Sequence, residues 1–295
     1  MPFRDIAGHD HLKTRIARAA LGGTLPPSLI FAGPDGVGKR MVAFALAQLV
    51  NCLTPSGGDA CGECASCKRI ARGVHADVLL IEPEESGTIK IDQIREAIDR
   101  SAYRPFEGRR RVVIINDAEK IVPQAQDALL KTLEEPPNAT MFVLVTAAPE
   151  LLLSTIRSRC QRLRFGRLSP SDVAGVLMRA HGYSETDAHT AAALSDGSVG
   201  RALAGNSESF AEARDAALRL LEIVATNPPP VRRIAGSTGL PGAGRGGSKG
   251  KSDREALAQS LRSMGTILRD LGLLSAQGDA RGLANADLRP RLERL

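Results

Sequence analysis

Gly33-Pro34-Asp35-Gly36-Val37-Gly38-Lys39 has the G-x-x-x-x-G-K spacing of a loop that holds phosphate. Glycines at Gly33, Gly36 and Gly38 let backbone N–H groups turn inward around phosphate oxygens. Lys39 adds a full positive charge, and the following helix N-terminus adds a partial one. The next residue is normally Ser or Thr, whose hydroxyl ligates Mg²⁺. Here it is Arg40, and a guanidinium offers a metal no lone pair. The bland alternative is an ordinary Gly-rich turn; glycines, lysine, strand and helix all falling in place together favour the phosphate loop. A second departure lies at Asn116-Asp117. A phosphate-loop ATPase normally carries there an Asp that helps hold Mg²⁺ and a Glu that orients the attacking water. Asn116 is neutral and Asp117 is one methylene short, so with Arg40 three parts of one reaction are altered together.

Four of the five cysteines form C-x₈-C-x₂-C-x₂-C: Cys52, Cys61, Cys64 and Cys67. Two nested C-x₂-C steps put three thiolates within reach of one ion, and Cys52 arrives from the end of the preceding helix. Four thiolates around Zn²⁺ leave no open position for a substrate, so the zinc would be structural. Lys68, Arg69 and Arg72 follow and would offset its negative charge. Redox thiols or unrelated buried cysteines are the alternatives; four cysteines at this spacing favour zinc. Cys160 stands apart.

These residues need a scaffold to position them. Leu29–Phe31, Val78–Ile81, Val112–Ile115 and Met141–Thr146 read as apolar strands, and Arg162–Phe165 as a short fifth strand. Helical patterns separate them: Leu12, Ile16 and Ala19 on one face before the first strand, then Met41–Leu46, Ile91–Ser101 and Val122–Leu133. Pro123 suits a helix start and Pro136-Pro137 a stop. The alternation predicts an α/β fold with a parallel sheet covered on both faces. Thr146 falls at the C-terminal end of the fourth strand, where ligand sites of such sheets are built.

From Ser169-Pro170 the texture becomes helical and alanine-rich, with helices expected over 170–205, over Ser207–Leu221, and over Arg254–Leu274. In the last of these Leu257, Leu261, Met264, Leu268 and Leu271 form an apolar stripe, read as core, shared in part with neighbouring subunits. Gly236 to Ser252 is Gly- and Ser-rich with Arg and Lys between, which predicts a mobile loop. The domain expectation is therefore 1–165, 166–205 and 206–295.

The net charge is +6 and the pI about 9.3, compatible with nucleic acid or an acidic partner but not diagnostic. Trp is absent and only two Tyr occur, which argues against an aromatic base-stacking surface. Arg109-Arg110-Arg111 reads as a solvated strand entrance. No apolar run is long enough to span a bilayer and no basic-then-apolar leader is seen, so a soluble, cytoplasmic protein without a membrane partner is expected.

Ala128-Leu129-Leu130-Lys131-Thr132-Leu133-Glu134-Glu135-Pro136-Pro137, followed by Thr155-Ile156-Arg157-Ser158-Arg159-Cys160, resembles the AAA+ clamp loaders of bacterial DNA polymerase III, and among them the delta-prime type. The likeness covers roughly residues 1–205. It implies an AAA+ phosphate-loop module with an inserted zinc module, a helical lid, and an all-α collar. It implies partners too: delta and gamma/tau subunits in a hetero-pentameric ring, acting on a sliding clamp and primer-template DNA during replication. Delta-prime is the structural subunit of that ring, an accessory of the polymerase holoenzyme whose own ATPase is absent. Any ATP or ADP in its degenerate loop is bound weakly or not at all.

The resemblance also assigns roles. Arg159 of Ser158-Arg159-Cys160 would reach the ATP of a neighbouring motor subunit as an arginine finger, a device giving roughly 10³–10⁵-fold in GTPases; taken alone it would read as a local salt bridge. Thr146 matches a polar sensor of the γ-phosphate. Arg201 resembles a lid arginine but stands one residue late, where Gly200 would align. Asp127 replaces a more usual Asn.

Two other functions compete. An active ATPase motor of the gamma/tau type carries the same cysteine module, but Arg40, Asn116 and the displaced Arg201 disfavour it. A zinc-dependent DNA-binding protein is disfavoured by the closed thiolate set and the scarcity of aromatics.

Overall fold

The computed structural model describes residues 1–204, 207–226, 250–276, 283, 285 and 288–294. The chain divides into two compact units, Met1–Ser169 and Pro170–Leu295.

The first unit is built on a five-stranded, all-parallel sheet: β1 (Ser28–Ala32), β2 (Val78–Ile81), β3 (Arg111–Ile115), β4 (Thr140–Thr146) and β5 (Gln161–Arg164). Its order is β2-β3-β4-β1-β5. The strands expected from sequence are all present, with no end moved by more than one residue. Helices α1 (Asp10–Leu21), α2 (Lys39–Asn51), α3 (Ala65–Ala71), α4 (Ile91–Ser101), α5 (Pro123–Glu134) and α6 (Ser154–Arg159) fill the connections.

Alternate side chains of the central strands β1, β3 and β4 enter opposite cores. Leu29, Phe31, Val112, Ile114 and Val143 pack on one face with α1, α2 and the cysteine segment. Ile30, Val113, Ile115, Phe142 and Leu144 pack on the other with α4 and α5. Burial on both faces is why β1, β3 and β4 read as continuous apolar runs, whereas β5 at the sheet edge buries only Leu163.

The cysteine segment is part of this architecture. Asp59 accepts hydrogen bonds from the backbone N–H groups of Phe3 and Arg4, both at 3.0 Å. The Arg4 guanidinium donates to the carbonyls of Ala60 and Cys61, both at 2.8 Å.

The second unit is helical: α7 (Pro170–His181), α8 (Glu185–Leu194), α9 (Val199–Ala204), α10 (Ser207–Ala225), α11 (Gly250–Ser275) and α12 (Arg289–Leu292). Ser184 caps α8 by accepting from the N–H of Asp187. Ala217, Leu218, Ile267, Leu288 and Leu292 form a core joining α10, α11 and α12. The expected stripe on α11 is divided: Met264 and Leu271 pack, partly buried, against this core. Leu261 and Leu268 are 53% and 50% exposed, while Ser260, Ser263, Ile267 and Asp270 are buried. The inward face follows the helical step from Ile267 and takes polar residues with it; Asp270 accepts from the backbone N–H and the Nδ2 of Asn285, both at 2.8 Å. Of the expected mobile loop, 236–249 lies outside the described residues, and 250–252 already belongs to α11.

No helix among the described residues is long and apolar enough to cross a membrane.

Candidate functional site

The Gly33–Lys39 loop leaves β1 at the C-terminal edge of the sheet and turns into α2. Each glycine answers a local demand. A Cβ on Gly33 would lie 2.3 Å from the Phe165 carbonyl oxygen, so a side chain there collides with the chain leaving β5. Gly36 and Gly38 have φ of +72° and +97°, the left-handed region that side chains disfavour. The Gly33 N–H donates to the Thr146 carbonyl at 3.2 Å, which ties the loop to the end of β4.

Lys39 is buried. Its ammonium donates to the Gly33 and Pro34 carbonyls, both at 2.7 Å, and lies 3.7 Å from Asp35. Burial lowers its pKa from the ordinary lysine value, while Asp35, Glu119 and Asp117 oppose the shift. The loop thus closes on its own lysine.

Arg40 meets Glu82, which directly follows β2. Its Nη1 and Nη2 lie 2.8 Å and 3.2 Å from the Glu82 oxygens. The guanidinium also sits 5.7 Å from the centre of the Phe44 ring. Asn116, directly after β3, donates from Nδ2 to the same carboxylate at 3.4 Å. Asp117 takes a left-handed backbone, φ 51°, and pairs with Lys120 at 2.9 Å.

Two acidic residues went unrecognised in the sequence. Glu82 stands at the C-terminal end of a buried strand, a position that could have flagged it. Glu119 accepts from the Ala147 N–H at 3.3 Å through one oxygen, while its other oxygen is buried without a hydrogen-bond partner among the described residues. Thr146 is buried beside it, its hydroxyl accepting from the Ala148 N–H at 3.1 Å.

Arg159 lies elsewhere in its bonding. It pairs with Glu134, at the end of α5, at 2.5 Å, and donates to the Thr155 carbonyl at 3.0 Å. Ser158 donates its hydroxyl to the same carbonyl at 3.0 Å. The structure therefore groups Gly33, Lys39, Thr146, Asn116 and Asp117 about the C-terminal edge of the sheet and engages Arg159 with Glu134 rather than with the loop. In the second unit Arg201 lies 3.4 Å from Asp196.

The four cysteine sulfurs lie within 4.8 Å of one another, with Cys61 and Cys67 4.0 Å apart. A tetrahedral Zn²⁺ with Zn–S bonds of about 2.3 Å needs sulfurs about 3.8 Å apart, so the set fits. Backbone N–H groups of Cys61, Cys64 and Cys67 point at the sulfurs of Cys52, Cys61 and Cys64 at 3.3, 3.3 and 3.5 Å. These donors favour thiolate. The Thr54 side chain, then the N–H groups of Cys64 and Glu63, hold Cys61 down to about 6. Burial pushes Cys52 and Cys67 up, so a cation must complete the charge balance for all four to be thiolates. Arg69, expected to offset the cluster, is committed instead to Glu107 at 2.6 Å. Cys160 is buried apart, its thiol pushed up to about 12 by that burial.

Residues 8–169 match the protein family described as "DNA polymerase III, delta subunit". The chain is 36% identical over 173 residues to the DNA polymerase III subunit tau of Bacillus subtilis (strain 168), covering 59% of this chain and 30% of that protein. It is 34% identical over 171 residues to subunit tau of Escherichia coli (strain K12), covering 58% and 26%. The subunit gamma of Buchnera aphidicola is 36% identical over 158 residues, covering 54% and 43%. The chain thus spans less than half the length of each of these relatives.

Proposed function

The chain belongs to the family described as DNA polymerase III, delta subunit, and on that premise we propose that it is a clamp-loader subunit of the delta-prime type. It helps load a sliding clamp onto primed DNA without hydrolysing ATP itself. Its partners are delta and gamma/tau subunits in a five-membered ring, in the cytoplasm. The AAA+ module carries the phosphate loop, residues 166–205 serve as the lid, and 206–295 serve as the collar.

One observation carries this reading: Arg40 fills the place of the metal-holding hydroxyl and is bound to Glu82 through Nη1 and Nη2. A divalent ion there would meet a fixed cation. Asn116 brings no charge for it, and Asp117 is turned to Lys120. ATP or ADP, where bound, would be held by Lys39 and the loop amides alone.

Arg159 is the catalytic contribution, made in trans with Ser158 beside it. Its pairing with Glu134 is half-exposed, and exposed pairs are worth only about 0–1 kcal/mol. Exchanging that carboxylate for a neighbour's triphosphate therefore costs little. A planar, always-charged fork suits the task where lysine would not. The cysteine set holds structural Zn²⁺, which supplies cross-linking and no chemistry.

A second reading is an active gamma/tau motor, favoured by identities of 36% and 34% to tau subunits over this same segment. Turnover of ATP with Mg²⁺ by the purified chain separates the two. No turnover is expected. Turnover abolished by Lys39→Ala would establish the motor and overturn the structural role.

A further inference from the structure

His9 does nothing for its own helix. It stands at the N-cap of α1 with a left-handed backbone, φ 57° and ψ 27°, and its side chain makes no capping hydrogen bond. Ser, Thr, Asp or Asn at that place would cap the helix. The turn, with Gly8 before it at φ 67°, brings the imidazole to the Gly33–Lys39 loop instead. Its Nε2 lies 2.9 Å from the Val37 carbonyl oxygen, 28 positions along the chain. A carbonyl only accepts, so Nε2 carries the proton and donates. The ring meets Phe165 edge-on, centroids 5.0 Å apart at 71°, and Phe165 meets Phe31 at 5.1 Å. Phe31 belongs to β1 and Phe165 directly follows β5, so the sheet itself fixes the imidazole.

The bond falls on a peptide plane that the backbone alone leaves loose. Gly38 has φ +97°, and with no Cβ it accepts either orientation of that plane about as readily. The Val37–Gly38 peptide is trans, so the Gly38 N–H points opposite to the Val37 carbonyl. Drawing the carbonyl toward His9 turns this N–H away from His9. The N–H groups of Gly36, Val37, Gly38 and Lys39 have no hydrogen-bond acceptor among the described residues, whereas the Gly33 N–H is spent on the Thr146 carbonyl. The donors left for an anion therefore run from Gly36 to Lys39, and His9 sets one in the middle of that run.

We propose that His9 is a positioning residue for anion binding: by holding the Val37 carbonyl it fixes the Gly38 N–H in the orientation that donates to a phosphate oxygen. This rests on reading Gly33–Lys39 as a phosphate loop, and it names the residue outside the loop that shapes it. Arg40, paired with Glu82, stands where a metal would share the anion's charge, so the alignment of each backbone donor counts for more. A left-handed residue that leaves its helix uncapped is retained because its ring serves the loop.

Inorganic pyrophosphate with chelator, titrated calorimetrically into the full chain, is the probe. The parent should bind it, and Lys39→Ala should bind far more weakly. His9→Phe keeps an aromatic ring against Phe165 and removes the donor; affinity should fall about tenfold. His9→Gln offers an N–H at similar reach and should recover most of it. In a ¹H–¹⁵N spectrum the Gly38 amide should shift when pyrophosphate is added to the parent or to His9→Gln, but not to His9→Phe at the same concentration. Thermal melting of each variant separates lost affinity from lost fold, since a residue that only packs would change melting and leave the affinity of the folded chain intact. Full affinity in His9→Phe, or no recovery in His9→Gln, would overturn the role of His9 and leave the phosphate loop standing. No binding by the parent, or equal binding by Lys39→Ala, would overturn the loop reading and the role of His9 with it.

Discussion

Arg40 and Glu82 face each other across 2.8 and 3.2 Å, side chain to side chain, between the first turn of α2 and the end of β2. The pair is half-exposed and adds little stability. Its consequence is positional: it fixes a cation where the proposed phosphate loop would otherwise hold a metal.

Nucleotide affinity should accordingly be the same with Mg²⁺ and with chelator, measured by calorimetry on the purified chain. Arg40→Thr restores the hydroxyl and frees Glu82, so binding should then respond to Mg²⁺. Turnover should stay absent, because Asn116 and Asp117 are unchanged. A single Arg40→Thr variant that hydrolyses ATP would show those two residues to be adequate.

Arg159→Ala should fold and assemble, while the reconstituted ring loses clamp- and DNA-stimulated ATPase by at least about tenfold, given finger contributions of roughly 10³–10⁵-fold elsewhere. Arg159→Lys should not rescue it. Glu134→Ala removes only the resting partner, and ring turnover should hold or rise. Full activity in Arg159→Ala would remove the finger from the account.

Metal analysis should find about one zinc per chain. Cys61→Ser or a strong chelator should release it, since structural zinc binding of about 10–16 kcal/mol is also folding free energy. Because Arg4 donates to the Ala60 and Cys61 carbonyls, the loosening should reach the first residues. Hydrogen exchange at Phe3 and Arg4 should accelerate with metal loss; unchanged protection there would separate the module from the N-terminal segment.

Asp77 gives a pH dependence. Burial pushes its carboxyl up, but the N–H groups of Glu107, Gly108 and Phe106 and the Arg111 guanidinium outweigh this and bring it down to about 2 from the usual 3.8. A folded pKa below the unfolded one stabilises above the unfolded value, and that stability is lost as pH falls through the folded value. Roughly 2 kcal/mol should therefore disappear between about pH 4 and pH 2. Asp77→Ala strands Arg111 and should cost about 3–5 kcal/mol in urea unfolding; with its aspartate gone, the acid-dependent loss should shrink by the same 2 kcal/mol. An unaltered acid profile would place that loss on other groups.

Much of the molecule is local and was legible in the residues. The G-x-x-x-x-G-K spacing, the four cysteines and the short strand-like runs specify a loop, a cysteine cluster and five strands, because each rests on contacts within a few positions along the chain. Arg40 and Asn116 were legible for the same reason, as departures from the usual hydroxyl and carboxylate. Legibility stopped where the chemistry depends on which strands lie side by side. The order β2-β3-β4-β1-β5 brings Glu82 to Arg40 from 42 positions away and Asp77 to Arg111 from 34. Arg111 looked like part of a solvated basic triplet and is instead a buried clamp. Likewise the α11 stripe was read from apolar residues alone, whereas packing keeps Met264 and Leu271 against the core and buries Ser260 and Asp270 with them. Local chemistry along the chain declares which groups are present; only the close packing of distant segments decides which charge each of them must answer, because an ion pair forms between whatever the fold brings within reach and not between neighbours in sequence.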